Sequence, residues 1–150
     1  MTAELSKSPP PVEIGKSQWT EPFWAAAREH RLVAPKCGSC GTFRMPPTPF
    51  CPNCRSQEID WIGLSGKGLN YSYTVIVKSM LPEMDDCIPY IPAVIELPDA
   101  DGVRLISNIV NVRPDRVRIG QEVSVVWDSY DDGTVVPRFE LLTALERNSL

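Results

Sequence analysis

The chain has 150 residues, of which 43% are hydrophobic and 23% charged, and its formal net charge is −4. These values are ordinary for a globular protein of one domain, or of one domain with a small accessory module. No apolar run approaches the roughly 20 residues that span a bilayer, and the net negative charge disfavours binding to nucleic acid. The 15 prolines favour strands, turns and loops over helices.

The N-terminal stretch, residues 1–17, is predicted to be a flexible tail. It contains three consecutive prolines and few apolar residues, a composition typical of an extended segment that becomes ordered only where something binds it. It also lacks the apolar core of a secretory signal peptide. We therefore expect a cytoplasmic protein.

A short helix is predicted to follow the tail. Thr20 is a suitable N-cap, Glu21 suits the positive end of the helix dipole, and Pro22 is tolerated in the first turn. Phe23 and Trp24, with the alanines after them, form an apolar face. A helix of about ten to twelve residues is marginal alone, so we expect it to pack against the rest of the chain.

Four cysteines form two C-x-x-C pairs, Cys37 with Cys40 and Cys51 with Cys54, and ten residues separate the pairs. Two thiolates at this spacing can chelate one ion, and zinc takes four thiolates in closed tetrahedral sites. Glycines in and after the first pair, and Pro-Asn within the second, favour the turns that curl round a metal. The pattern predicts a zinc ribbon that binds one zinc ion per chain.

Other uses of the cysteines fit the sequence less well. A thioredoxin-like C-x-x-C opens a helix within a βαβ pattern, whereas Gly and Pro surround both pairs here. Two structural disulfides would suit a secreted chain. Iron in a rubredoxin-like site stays open as an alternative, because four thiolates do not by themselves separate the two metals.

The second half of the chain predicts a mainly β fold. Two glycines, at 66 and 68, predict a hinge after the ribbon. Five short segments rich in β-branched residues follow, with turn signals between them. A closed barrel would remove their exposed edges, and the five-stranded candidate is the OB-fold. The predicted strands are 71–77, 91–97, 103–112, 122–130 and 134–142.

One connection, residues 78–90 between the first two barrel strands, is long for a hairpin. The corresponding loop of OB-folds is one of their usual ligand-binding loops. Apolar side chains on a mobile loop predict a surface that binds a partner, although a loop folded back over the barrel mouth is an equal alternative. The candidate contact residues on this loop are Met80, Leu81, Met84, Ile88 and Tyr90.

No catalytic residue is predicted. A metal site with four cysteine ligands is closed and leaves no position for water. Cys87 is the only other thiol in the chain, and its sequence neighbourhood offers no base. The single histidine, His30, cannot build a histidine-based metal centre and is expected to be a surface residue at the end of the helix.

The order of these segments resembles a known family. It is carried by the helix, the four-cysteine ribbon, and the segments GKGLNYSYTVI and PYIPAVIELPDADG, and it covers about residues 18–142. Members of that family, once catalogued only as a domain of unknown function, have an N-terminal helical segment, a rubredoxin-like zinc ribbon and a C-terminal OB-fold associated with acyl-CoA. The resemblance implies the metal ligands Cys37, Cys40, Cys51 and Cys54.

The resemblance also implies a function. It is that of a non-catalytic accessory subunit which binds and stabilises a thiolase-fold enzyme and helps form its acyl-CoA path. Such enzymes include thiolases, acyltransferases and the lipid-transfer-protein-like aldolases of steroid side-chain breakdown. Because the chain is acidic, any contact with CoA phosphates must come from local basic residues, for which the candidates are Lys67, Lys78 and Arg104.

The sequence leaves one alternative function and predicts four parts. Zinc ribbons and OB-folds also occur in proteins that bind single-stranded nucleic acid, but no Lys/Arg stripe alternates with aromatic residues here. The predicted division is a flexible tail (1–17), the helix with the zinc ribbon (18–64), the OB-fold domain (65–142) and a C-terminal tail (143–150).

Overall fold

The computed structural model describes residues 4–10 and 13–143. Within them the chain is mainly β, with one α-helix followed by seven strands. Among these residues, the structure contains no helix of the length and apolarity needed to cross a membrane. The elements are α1 Glu21–Arg28, β1 Val33–Cys37, β2 Ile59–Gly63, β3 Lys67–Tyr73, β4 Ile91–Leu97, β5 Val103–Ile109, β6 Glu122–Ser129 and β7 Val135–Leu141.

The ribbon is built on a two-stranded antiparallel sheet. β1 pairs with β2 in a register that sets Val33 opposite Gly63 and Cys37 opposite Ile59. The first residues of β1 are buried, whereas Asp60 and Gly63 of β2 are exposed. The ribbon sheet therefore places the first cysteine at the end of a buried strand.

The remaining five strands form a closed barrel in the order β3-β4-β5-β7-β6, as the strand count predicts. The β4 strand alternates between fully buried and half-buried residues, so one of its faces fills the barrel interior. The β5–β7 junction is the only parallel one, and it is short, with the single register pair Ile109 and Phe139. The interior side chains of β4 are Ile91, Ala93, Ile95 and Leu97.

The first barrel strand lies earlier in the chain than predicted. It runs from Lys67 to Tyr73, so the predicted hinge at Gly68 is wrong and this glycine belongs to the barrel. A Cβ at Gly68 would meet the Ile95 side chain at 2.5 Å, which explains the glycine by close strand packing rather than by flexibility. The predicted strict alternation along 71–77 also fails, because a register shift interrupts the β3–β4 pairing after Asn70.

The helix is shorter than predicted, with eight residues. Thr20 does occupy the N-cap position, but its side chain makes no capping bond; its hydroxyl instead accepts the Ser17 N–H at 3.0 Å. The predicted apolar face is confirmed, since Phe23, Ala26 and Ala27 are buried. This face packs against β7 and β1.

A single core joins the ribbon sheet to the barrel. Side chains of the helix and of β1, such as Phe23 and Val33, belong to the same buried cluster as the barrel residues Ile91 and Phe139. The two modules therefore share packing, and loss of one affects the other.

The predicted N-terminal tail, 1–17, lies partly along the barrel. Ser6 is buried and its N–H donates to the Val112 carbonyl at 2.8 Å, while the Lys7 N–H donates to the Pro89 carbonyl at 2.9 Å. The flexibility of this segment and the division into four parts remain predictions. Most of the predicted C-terminal tail, from residue 144 onward, lies outside the described residues.

Candidate functional site

The two cysteine pairs converge on one point. The Sγ atoms of Cys37 and Cys54 lie 3.6 Å apart, as do those of Cys40 and Cys51, and all four lie within 4.8 Å of one another. Four sulfurs placed at about 2.3 Å from one ion in a tetrahedron would lie about 3.8 Å apart. The cluster therefore fits one zinc ion.

Each cysteine pair sits in the same kind of backbone turn. The N–H of the first cysteine donates to the carbonyl five residues later, Cys37 to Thr42 and Cys51 to Ser56, both at 2.8 Å. The residue four positions after that cysteine adopts a positive φ, +76° at Gly41 and +63° at Arg55. The glycine prediction thus holds at Gly41, whereas the second turn uses an arginine in the left-handed region.

Local hydrogen bonds favour the metal-binding form of one thiol. The Thr42 hydroxyl, then the Asn53 side-chain amide and the Thr42 N–H, lower the pKa of the Cys40 thiol to about 5. The thiolate is the form that ligates zinc. Cys37 and Cys51 are buried while Cys40 and Cys54 are exposed, so the cluster lies at the ribbon surface with one ligand of each pair shielded.

Arg44 is a residue of this site that the sequence did not reveal. It is buried, and its guanidinium donates to the carbonyls of Ser56 and Glu58, both at 3.1 Å. An arginine within a ribbon has no periodicity or spacing signal that separates it from a surface arginine. A proline-rich loop that ends in the exposed Phe50 follows it.

The long connection projects from the barrel on a fixed base. Ile76 and Tyr90 exchange backbone hydrogen bonds of 2.9 and 3.2 Å, and the Pro89 carbonyl accepts the N–H of Lys7. The middle of the loop forms a 3₁₀ turn, Pro82–Cys87, with no buried residue. The structure thus favours a projecting loop over one folded back on the barrel mouth.

Two apolar side chains of this loop are well exposed. Met80 is 96% exposed and Leu81 is 55% exposed, while Met84, Ile88 and Tyr90 are half-buried. The adjoining Val77 is 68% exposed. Val77, Met80 and Leu81 are thus the exposed large apolar side chains on and next to the loop, and we name these three residues the loop patch.

The candidate phosphate-binding residues do not form one cluster. Lys67 begins β3 and Lys78 lies beyond its other end, and the seven residues of that strand rise about 20 Å. Arg104 lies on the outer face of β5, where its guanidinium carbon is 3.7 Å from the centroid of the Tyr71 ring. One phosphate group could therefore not contact both Lys67 and Lys78.

The outer face of β4 and β5, which binds oligonucleotides in many OB-folds, is largely apolar here. Val94 lies opposite Ile106 on this face, and Glu96 lies opposite Arg104. Ile106 is 79% exposed, and the Arg104 side chain lies 3.8 Å from the Glu96 carboxylate. The basic group on this face is thus offset by a carboxylate.

Models of known protein families match both the ribbon and the barrel. Residues 24–60 match the model of the "ChsH2, rubredoxin-like zinc ribbon domain", and residues 61–128 match that of the "ChsH2, C-terminal OB-fold domain". The match at 24–60 includes all four cysteines, and together with their geometry it confirms a zinc ribbon positioned to bind one metal ion.

Two relatives illustrate the range of full-length architectures. A "Probable enoyl-CoA hydratase alpha subunit" of Thermomonospora curvata is 38% identical over 78% of this chain, and the chain spans 36% of that protein's length. A "DUF35 domain-containing scaffold protein" of Methanothermobacter thermautotrophicus is 34% identical over 72% of this chain and 83% of its own length. The fold thus occurs both as a compact protein and within a longer one.

A solved structure shows the same arrangement of modules. A chain of the "Ltp2-ChsH2(DUF35) aldolase" superposes with a TM-score of 0.77 at 33% identity, over 86% of this chain and 98% of that one. The family matches, the scaffold-protein relative and this structure agree with the order of helix, ribbon and barrel described above. The chain therefore belongs to the ChsH2 (DUF35) family, whose members join a rubredoxin-like zinc ribbon to a C-terminal OB-fold domain.

Proposed function

We propose that this chain is a non-catalytic accessory subunit that binds and stabilises a thiolase-fold enzyme and helps form its path for acyl-CoA. The observation that carries the proposal is the loop patch, which sets Met80 and Leu81 on a projecting loop with a hydrogen-bonded base. Methionine and other large apolar side chains are typical of interface cores, whereas a monomer has no need to expose them together.

The chemistry of the described residues supports a binding role. Four cysteines would hold one zinc in a closed site, which leaves no ligand position for a substrate or water. Cys87 lies in the 3₁₀ turn of the loop, and none of the hydrogen bonds described for the chain joins its thiol to a base. A nucleophile without a base or an oxyanion site is a poor basis for covalent catalysis.

The charge pattern supports a protein or thioester partner over nucleic acid. Single-strand binders combine a basic groove with aromatic stacking platforms. Here the net charge is −4, and the aromatic ring on the barrel face, Tyr71, already stacks with the guanidinium of Arg104. The Glu96 carboxylate also lies on that face beside Arg104, together with the apolar Val94 and the exposed Ile106.

The names of the similar proteins support an enzyme as the partner. They leave two classes of enzyme, aldolases and hydratases, as candidates. The aldolase structure favours an aldolase partner. The family resemblance implies that such a partner has a thiolase fold and acts in side-chain cleavage, such as that of steroids. The hydratase α subunit, of which this chain spans 36%, favours a hydratase. We propose the thiolase-fold class, because the aldolase chain is matched over 98% of its length.

Substitutions in the loop patch test the binding role. The double variant Met80→Asp/Leu81→Asp places two charges in the proposed interface core while leaving the barrel interior untouched, since both side chains are exposed. If both are buried in the complex, affinity for the partner enzyme falls by several kcal/mol, on the order of a thousandfold or more. Isothermal titration of the purified partner with each variant measures this loss.

A matched control comes from the barrel. Ile119 is 70% exposed and lies between β5 and β6, outside the loop. Ile119→Asp introduces the same kind of charge and is expected to leave the affinity within about threefold. Wild-type affinity of the double variant would remove the loop from the interface, and equal losses in both variants would show a general effect of charge.

A further inference from the structure

Arg44 is a buried cation with no carboxylate beside it. Only 3% of its surface is exposed, and none of the ion pairs found within residues 4–10 and 13–143 includes it. Buried charges are ordinarily paired, because removal of a charge from water is costly unless an opposite charge or hydrogen bonds compensate. The compensation for this guanidinium therefore has to come from the ribbon itself.

The guanidinium joins the two cysteine turns. Its Nη1 donates to the Ser56 carbonyl, which also accepts the Cys51 N–H at 2.8 Å. Its Nη2 donates to the Glu58 carbonyl, which also accepts the Gly38 N–H at 3.1 Å. Each carbonyl held by Arg44 thus belongs to the hydrogen bonding of a different turn.

The third nitrogen of the Arg44 guanidinium, Nε, lies in an incomplete environment. This nitrogen is buried and has no hydrogen-bond partner among the described residues. A buried donor without a partner is unfavourable, so hydrogen bonding alone does not fully account for the burial of this residue. Electrostatic attraction to a nearby negative centre supplies a second reason.

The metal site is such a centre. One Zn²⁺ bound by four thiolates carries a net charge of about −2. Arg44 is bonded to Ser56, two residues after Cys54, and to Glu58, whose carbonyl also accepts the N–H of Gly38, the residue after Cys37. Because Arg44 is itself buried, water screens its charge little, and it stabilises the thiolate cluster more than an exposed charge does.

We infer that Arg44 is the internal counter-charge of the zinc site and the clamp that positions its second cysteine pair against the first. Its planar fork engages two carbonyls at once, which the single ammonium of a lysine cannot reproduce in the same geometry. The four Sγ atoms then stay within bonding distance of one ion because both turns are tied to the same side chain.

Zinc affinity of the full-length chain tests this role. Arg44→Gln removes the charge and the fork, and it is expected to raise the zinc dissociation constant about 10- to 100-fold, the effect typical of losing a group that supports metal ligands. Arg44→Lys retains only the charge and is expected to be about tenfold weaker than wild type. Competition with a chromophoric chelator at neutral pH measures all three constants.

Arg31→Gln is the matched control, because Arg31 is exposed and lies before β1, outside both cysteine turns. It removes one positive charge from the surface and is expected to change zinc affinity less than about threefold, since water screens exposed charges. Equal affinity of the Arg44→Gln and Arg31→Gln chains would overturn the inference. If Arg44→Gln does not fold in excess zinc, the zinc dissociation constant of Arg44→Lys becomes the test. A wild-type constant for Arg44→Lys would then overturn the inference.

A spectroscopic readout separates positioning of the ligands from general stability. Co²⁺ in a tetrahedral thiolate site gives visible absorption bands that depend on ligand geometry. We expect altered bands for cobalt-loaded Arg44→Gln and unchanged bands for Arg31→Gln. Wild-type bands in every folded Arg44 variant would contradict a positioning role.

Discussion

Gly68 of β3 lies so close to Ile95 of β4 that a Cβ on the glycine would stand 2.5 Å from the Ile95 Cγ2 atom and 3.0 Å from the Glu96 carbonyl oxygen. Gly68→Ala therefore forces the two strands apart, and overpacking of this kind costs about 1–3 kcal/mol of unfolding free energy. Urea denaturation followed by tryptophan fluorescence measures the loss.

Gly63→Ala provides the control for that substitution. Gly63 is the last residue of β2, and nothing lies within 4 Å of a Cβ built there. We expect its stability to stay within about 0.5 kcal/mol of wild type. Equal stability of the two variants would show that the strands relax around an added methyl group at Gly68. The close approach would then not limit stability.

The sequence predicts the middle strands of the barrel better than the start of its first strand. Alternation of apolar residues in 91–97 matches β4 residue for residue, because one face of that strand fills the interior. The sequence indicates a hinge at the start of β3, where the structure has a strand, since a glycine required by a close approach to Ile95 cannot be told in sequence from a flexible one. The pairing that decides between them comes from a strand far along the chain.

The metal ligands were predictable because chelation fixes a local spacing. The two C-x-x-C pairs led directly to the four sulfurs, which lie within 4.8 Å of one another. Arg44 was not predictable, because its importance comes from carbonyls 12 and 14 residues away. The expected contact residues of the loop and the cytoplasmic location stay predictions.

Loss of one zinc ligand is expected to affect the ribbon first. Cys51→Ser leaves three thiolates, so metal content should fall well below one zinc per chain and residues 37–58 should lose protection from hydrogen exchange. The barrel strands should retain more protection, although the shared core will lower their stability as well. Elemental analysis with hydrogen-exchange mass spectrometry measures both effects.

The same analysis tests the metal itself. The wild-type chain, purified without chelator, is expected to contain about one zinc and little iron. A full complement of zinc in Cys51→Ser would remove this cysteine from the ligand set. Iron as the main metal in the wild-type chain would replace the zinc assignment by a rubredoxin-like one.

The Asp99 carboxylate is expected to make a pH-dependent contribution to the stability of the fold. The Ser65 hydroxyl, and then the Ser65 N–H, donate to the Asp99 carboxylate and lower its pKa below the usual value. A carboxyl whose pKa is lower in the folded state stabilises the fold above the unfolded pKa of about 3.9, and this contribution is lost as pH falls through the folded value.

Ser65→Ala removes the hydroxyl and is expected to lower the unfolding free energy at pH 7, with the deficit shrinking as the pH falls below about 3.9. Ser129→Ala, at the exposed end of β6, serves as the control and should show no such trend. Urea titrations at pH 7 and at a pH below about 3.9 measure the difference in unfolding free energy from wild type. A Ser65→Ala deficit that persists at low pH would assign the effect to packing.

Cys87 is expected to be dispensable. It is half-buried in the 3₁₀ turn of the loop and stands apart from the four-sulfur cluster. Cys87→Ser should leave zinc content unchanged and any activity of the assembled complex nearly so. A loss of activity beyond about a hundredfold in the folded variant, as for removal of a catalytic group, would reveal a nucleophile in this chain.

The most direct test of the accessory-subunit proposal is native mass spectrometry of the tagged, full-length chain isolated from its own host. A stable interface buries about 1,600 Å² or more and survives gentle isolation. The proposal predicts an assembly that contains this chain, one zinc per copy and a thiolase-fold enzyme subunit. A homogeneous, stable monomer with no enzyme subunit attached would contradict it.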